Sequence, residues 1–115
     1  MRFVVLALVV LGGVAAAQTA PSPLFAVHLE TGPKWNPALE ASEQPSFREH
    51  SANMNRLREE GVIVFGARYD EFGLLFVKAD TLDAAKAIIA ADPGVRADIF
   101  VYRIAPLSVF YPWND

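Results

Sequence analysis

Residues 46–73 read SFREHSANMNRLREEGVIVFGARYDEFG. The pattern changes once, at Gly61. Before it, Phe47, His50, Ser51, Met54 and Leu57 recur three or four residues apart and share one stripe of a helix predicted over 46–60, while Arg48, Asn55, Arg56 and Glu59 fall mostly outside that stripe. Ser46 and Glu49 have the spacing of a capping box, in which each side chain satisfies a free backbone donor at the helix start. Gly61 suits the helix end. After it, Val62–Arg68 is a run of strong strand formers, Tyr69-Asp70-Glu71-Phe72 a turn, and Gly73–Lys78 a second strand, so this half predicts a hairpin.

Working outward, Leu24–Glu30 alternates Phe25, Val27 and Leu29 with Ala26, His28 and Glu30, the period of a half-buried strand that Thr31-Gly32-Pro33 ends. Lys34–Gln44 is a loop that carries Trp35. Downstream, Thr81 is placed to cap a helix over Leu82–Ala91, with Asp83 in its first turn and Leu82, Ala85, Ile88 and Ile89 as its apolar face. Asp92-Pro93-Gly94 stops that helix. Val95–Ala105 is then the last and longest strand, and Pro106 opens an aromatic tail holding Phe110, Tyr111 and Trp113.

The order βαββαβ predicts an α+β fold of the ferredoxin-like kind, a four-stranded antiparallel sheet with both helices on one face. The other face needs a cover too, because Val62–Phe65 and Leu74–Val77 are apolar on both sides of their strands. A second copy, packed face to face, is the economical answer and gives a homodimer of the dimeric α/β-barrel kind.

Residues 1–17 have the layout of a cleavable signal peptide: Arg2, the apolar run Phe3–Leu11, then Ala15-Ala16-Ala17 before Gln18. The run is short for a membrane span. The expectation is an exported protein, periplasmic or extracellular, with no membrane attachment after cleavage, a short linker over 18–23 and a single domain over 24–115. The formal net charge of −3 becomes one unit more negative once Arg2 is lost, which argues against nucleic acid as a partner. Cysteine is absent, which excludes disulfides, thiol nucleophiles and thiolate metal sites.

Following the chain through this topology brings one end of the sheet together. Gly32, Pro33 and Trp35 after the first strand, His50 in the first turns of the first helix, Asp70 in the hairpin and Asp92 at the end of the second helix all reach the same rim, with His28 near that level. A histidine takes or gives a proton near neutral pH, and a carboxylate partner fixes which ring nitrogen carries it. His50 with Asp92, or with Asp70, is thus a sufficient general acid–base pair. On a purely structural reading, His50 is a hydrogen-bonded histidine on the inner face of its helix, Asp92 and Asp70 are turn residues, and Trp35 staples its loop. His28, Trp35, Gly32 and Pro33 are the candidate pocket-lining residues. The histidines and acids have no metal-ligand spacing, so neither metal nor other cofactor is expected. No serine has a nucleophile-elbow context.

The chain resembles the YCII-related family of small dimeric α/β-barrel proteins. The residues that carry the resemblance are Gly32-Pro33 after the first strand, His50 near a helix start, Leu57 and Gly61 at its close, Gly66 in the next strand, Ala84-Ala85 in a helix ending at Asp92-Pro93, and Ile104-Ala105-Pro106 with aromatics after it. The resemblance implies a ferredoxin-like protomer, a homodimer and a pocket with a His–Asp pair, here His50 with Asp92, Asp70 being the alternative partner. Some relatives are lyase-like enzymes acting on small aromatic compounds, and many have no assigned activity. The expectations are therefore proton-transfer or elimination chemistry of a lyase or isomerase kind on a small organic molecule with His50 as base, or, alternatively, a non-catalytic dimer that binds a small ligand. A purely structural dimer needs neither pocket nor pair.

Overall fold

The computed structural model of the chain describes residues 23–114. The expected signal peptide and all of the linker except Pro23 lie outside the described residues. The elements are β1 (Leu24–Thr31), a single 3₁₀ turn (Ala41–Glu43), α1 (Phe47–Glu59), β2 (Ile63–Tyr69), β3 (Phe72–Lys78), α2 (Leu82–Ala90), a short α3 (Pro93–Arg96) and β4 (Phe100–Leu107). The strands form one antiparallel sheet in the order β2-β3-β1-β4, the ferredoxin-like arrangement.

The strand alternation sorts residues between two environments. Phe25, Val27 and Leu29 of β1 are buried with Ile63 and Val77 beneath Leu57 of α1 and Ala85 and Ile89 of α2. This is the core, and burying side chains of this size contributes about 1.5–3 kcal/mol each before entropy is counted. The intervening residues face away from the helices. His28 lies opposite Leu74 on β3 and Arg103 on β4, while Phe65 pairs with Phe76. Those two phenyl rings stack at 4.8 Å, yet Phe65 remains 41% exposed, and Tyr69 on β2 and Val101 on the opposite edge strand are exposed too. A shift in register between Ile63 and Phe65 keeps both residues on their own faces despite the odd residue, Val64, between them.

Three local readings are corrected. Ser46 makes no side-chain cap, because it has φ 69 and ψ 4. The Phe47 amide bonds the Gln44 carbonyl, and Pro45 with left-handed Ser46 completes a type II turn that swings the hydroxyl out of capping position. The last strand begins at Phe100 rather than Val95. Asp92 and Pro93 end α2, but they also have the chemistry of a helix start: the Asp92 carboxylate accepts from the Gly94 and Val95 amides, and Pro93 takes the first helical position. Finally, β4 continues through Pro106, which sits opposite Phe25 on an edge strand where a missing N–H is tolerated. The Thr81 cap is present, its hydroxyl accepting from the Ala84 amide at 3.0 Å.

Candidate acid–base site

α1 begins at the end of β1, and α3 turns back just past the same end. Two features close the gap between them. Gly32 lies so near the backbone before β4 that a Cβ there would stand 2.5 Å from the Asp98 carbonyl oxygen. At Gly94 a Cβ would meet Phe100 at 2.8 Å and both Asp92 Oδ2 and His50 Nδ1 at 3.1 Å. Glycine at 94 thus leaves the space in which the His50 ring reaches the Asp92 carboxylate.

His50 Nδ1 lies 2.7 Å from Asp92 Oδ2, and Asp92 is completely buried. The carboxylate accepts from four donors: His50 Nδ1, the Gly94 and Val95 amides on Oδ2, and Asn53 Nδ2 at 2.9 Å on Oδ1. Burial pushes the Asp92 carboxyl upward; the hydrogen bonds from His50 and Asn53, the charge of His50 and the Val95 amide outweigh it and hold the group below its ordinary 3.8. Asp92 is therefore a carboxylate at neutral pH, and the proton in the short bond belongs to His50 Nδ1. That leaves Nε2 as the nitrogen available for chemistry. Phe100 supports the ring at 4.6 Å and Phe47 at 5.7 Å.

His50 opens on a cavity of about 600 Å³. Trp35, Phe47, Met54 and Phe100 form its apolar side, and Arg68, Asp70 and Glu71 its charged side across the hairpin. Trp35 is held against Phe100 at 5.7 Å by a loop that folds around the buried Gln44, whose amide oxygen accepts from Asn36 N and whose NH₂ donates to the Asn36 and Leu39 carbonyls.

The candidate residues thus divide. His50 and Asp92 are in direct contact. Asp70, with φ 52 at the hairpin tip, lines the far wall and makes no hydrogen bond or ion pair with His50. Trp35 lines the cavity. Gly32 and Pro33 do not, Gly32 serving the close backbone approach instead. His28 is on the opposite sheet face, where Arg103 Nη2 donates to its Nδ1 at 3.0 Å; it borders a second, shallow depression with Arg103, Leu74 and Lys86. Sequence reasoning missed Asn53, Gly94 and Gln44. Asn53 stands one helical turn after His50, so spacing alone places it near whatever His50 touches; nothing comparable marks the other two. Among the described residues no group of three or more histidine or acidic side chains is arranged to hold a metal, and no helix is long and apolar enough to cross a membrane.

No curated protein matches the chain. A profile of the YCII-related domain matches residues 25–108, from the second residue of β1 to just past β4. That span takes in every helix and strand described here, including the turn that carries Asp92 and the helix that carries His50, and the chain belongs to the YCII-related family.

Proposed function

We propose that this protein is an exported, homodimeric enzyme that moves a proton on a small organic molecule, by isomerisation or elimination, with His50 as general base and Asp92 as the group that orients it. The observation that carries the reading is the 2.7 Å contact between His50 Nδ1 and a fully buried carboxylate, beside a cavity into which His50 faces. With Nδ1 engaged, Nε2 takes a proton from a carbon or hydroxyl acid held against the aromatic wall, and returns it at a neighbouring atom or yields it to a leaving group. A positioned acid–base group of this kind contributes about 10²–10⁴-fold to a rate. The second copy is supported by the sheet face that carries Phe65, Phe76, Tyr69 and Val101 outward, with no helix or strand of the described residues over it. Export is supported by the order of charge, apolar run and small residues in residues 1–17.

The test is deuterium exchange. A panel of small carbonyl and hydroxylated aromatic compounds is incubated with the protein in D₂O, and loss of carbon-bound protons or appearance of elimination products is followed by proton NMR. Turnover by the natural chain that is absent from a folded His50→Gln protein is expected. Undiminished turnover in that variant overturns the assignment. Compounds that bind in the cavity without exchanging or eliminating would make the protein a small-ligand binding module instead.

A further inference from the structure

We propose that Asn53 is a positioning residue for the His50–Asp92 pair: Arg56 holds its carbonyl end, so that its NH₂ end aims the buried carboxylate at the histidine. The inference rests on the acid–base reading of the site, and it is tested on the carboxylate itself rather than on turnover.

An amide side chain has two ends that look alike in shape and differ in charge. Asn53 sits between two ions of opposite sign. Its Nδ2 donates to Asp92 Oδ1 at 2.9 Å, and its Oδ1 accepts from Arg56 Nη2 at 2.7 Å. Rotating the amide by half a turn would set oxygen against carboxylate and NH₂ against guanidinium, so both neighbours enforce one orientation. Arg56 is fixed in turn by two bonds from Nη1 to the Glu60 carboxylate, at 3.0 and 3.1 Å. Since His50, Asn53, Arg56 and Glu60 succeed one another by three or four residues, a single face of α1 carries an alternating chain from the surface to the cavity.

The consequence falls on Asp92. Its Oδ2 is committed to His50 and to two amides of α3, but among the described residues Oδ1 has one partner, Asn53. Without that bond a fully buried oxygen has no donor, and the carboxylate is held by Oδ2 alone, which fixes its tilt toward the histidine less well. His50 is the sole ionisable side chain bonded to Asp92 among the described residues. On α3 the carboxylate meets only amides, from β4 the phenyl ring of Phe100 backs the histidine, and Arg56 and Glu60 act one step removed, through Asn53.

The experiment follows the Asp92 side-chain carboxyl carbon by NMR through an acid titration of the full chain. Asn53→Ala is expected to raise its titration by about half a pH unit or more, because one of the donors that favour the ionised form is gone. Arg56→Glu, a change at an exposed position that never touches Asp92, is expected to move it in the same direction by turning the Asn53 amide. Combining the two should add nothing to Asn53→Ala alone, since both act through one bond. Where Asn53→Ala does not fold, Arg56→Glu alone decides. An Asp92 titration unmoved in folded Asn53→Ala, or in Arg56→Glu, overturns the proposal whatever the protein does with a substrate. Loss of turnover in His50→Gln with no titration effect in the Asn53 variants would retain the acid–base reading and reject the positioning role.

Discussion

Each side of the sheet has one histidine, His50 on α1 over one face and His28 on β1 pointing to the other, and the two are wired in opposite senses. On the helix-covered side, His50 Nδ1–H donates a hydrogen bond to a buried carboxylate, which leaves Nε2 as the free nitrogen beside a cavity. On the open face, His28 Nδ1 accepts from Arg103, so its proton sits on Nε2, which is buried with no hydrogen-bond partner among the described residues and lies 3.7 Å from a Glu30 oxygen. Phe72 meets the His28 ring edge-on at 4.7 Å. What separates a candidate base from a packed ring is therefore the partner at Nδ1. Residue type and strand or helix position do not decide it.

The sharpest way to break this contrast is to exchange each histidine for an amide that fills similar space but cannot titrate. His50→Gln is expected to lower any turnover about 10²–10⁴-fold, while His28→Gln leaves the cavity chemistry in place, its cost falling on the open face. Equal losses in both variants, measured on the same substrate, would dissolve the distinction.

A change at Gly94 tests whether the helix-covered site depends on close approach. Gly94→Ala puts a methyl group against Asp92 Oδ2, His50 Nδ1 and the Phe100 ring. The expected cost is about 1–3 kcal/mol in chemical denaturation, with weakened turnover in whatever fraction folds. Unchanged stability would mean that the backbone gives way more easily than the packing around Phe100 implies.

The open face makes the complementary prediction. Phe65→Glu places a charge on the apolar patch without touching the core, and the protein is expected to sediment as a folded monomer where the natural chain is a dimer at micromolar concentration. A natural chain that is itself monomeric would remove the proposed partner.

The smallest effect concerns acid. A carboxyl held below its ordinary 3.8 stabilises the fold fully above that pH, and the contribution is lost as pH falls through its own lower value. Asp92→Asn is expected to cost stability at neutral pH and to flatten the stability curve below about pH 4, measured by urea denaturation across pH. A curve parallel to that of the natural chain would show that other carboxylates carry the acid limb.

Part of this contrast was legible from residue order, although the sequence also offered His28 as a pocket-lining residue and the structure sets it away from the cavity. Alternation in Leu24–Glu30 put His28 and Phe25 on opposite faces, and helical spacing put His50 inward with Phe47, Met54 and Leu57. Counting strand and helix directions brought Asp92 to the end where α1 starts. The rest depended on pairs of signals that compete. Asp-Pro ends one helix and caps the next, so the sequence at 92–96 reads equally as a stop or a start until Val95 is seen packed against the core. Ser46 satisfies a capping pattern on paper, but Pro45 and the Gln44 carbonyl claim it for a turn. Asn53 could be reached only through its spacing from His50, and Gly94 is defined by a histidine about forty residues away, a contact that single-sequence periodicity does not register.

Asp92 does two things with one oxygen: Oδ2 starts a helix by accepting from the Gly94 and Val95 amides, and the same atom accepts the hydrogen bond from His50 Nδ1. Selection for a foldable chain and, under the proposed function, selection for acid–base chemistry would therefore act on the same atom. A descendant that abandoned every reaction would still be penalised for losing the acid, because the turn into the last strand would lose its cap and the buried histidine its partner. Within such a lineage the pair would outlast the chemistry, and its presence in a relative would be a weaker sign of activity than the shape and polarity of the cavity wall opposite.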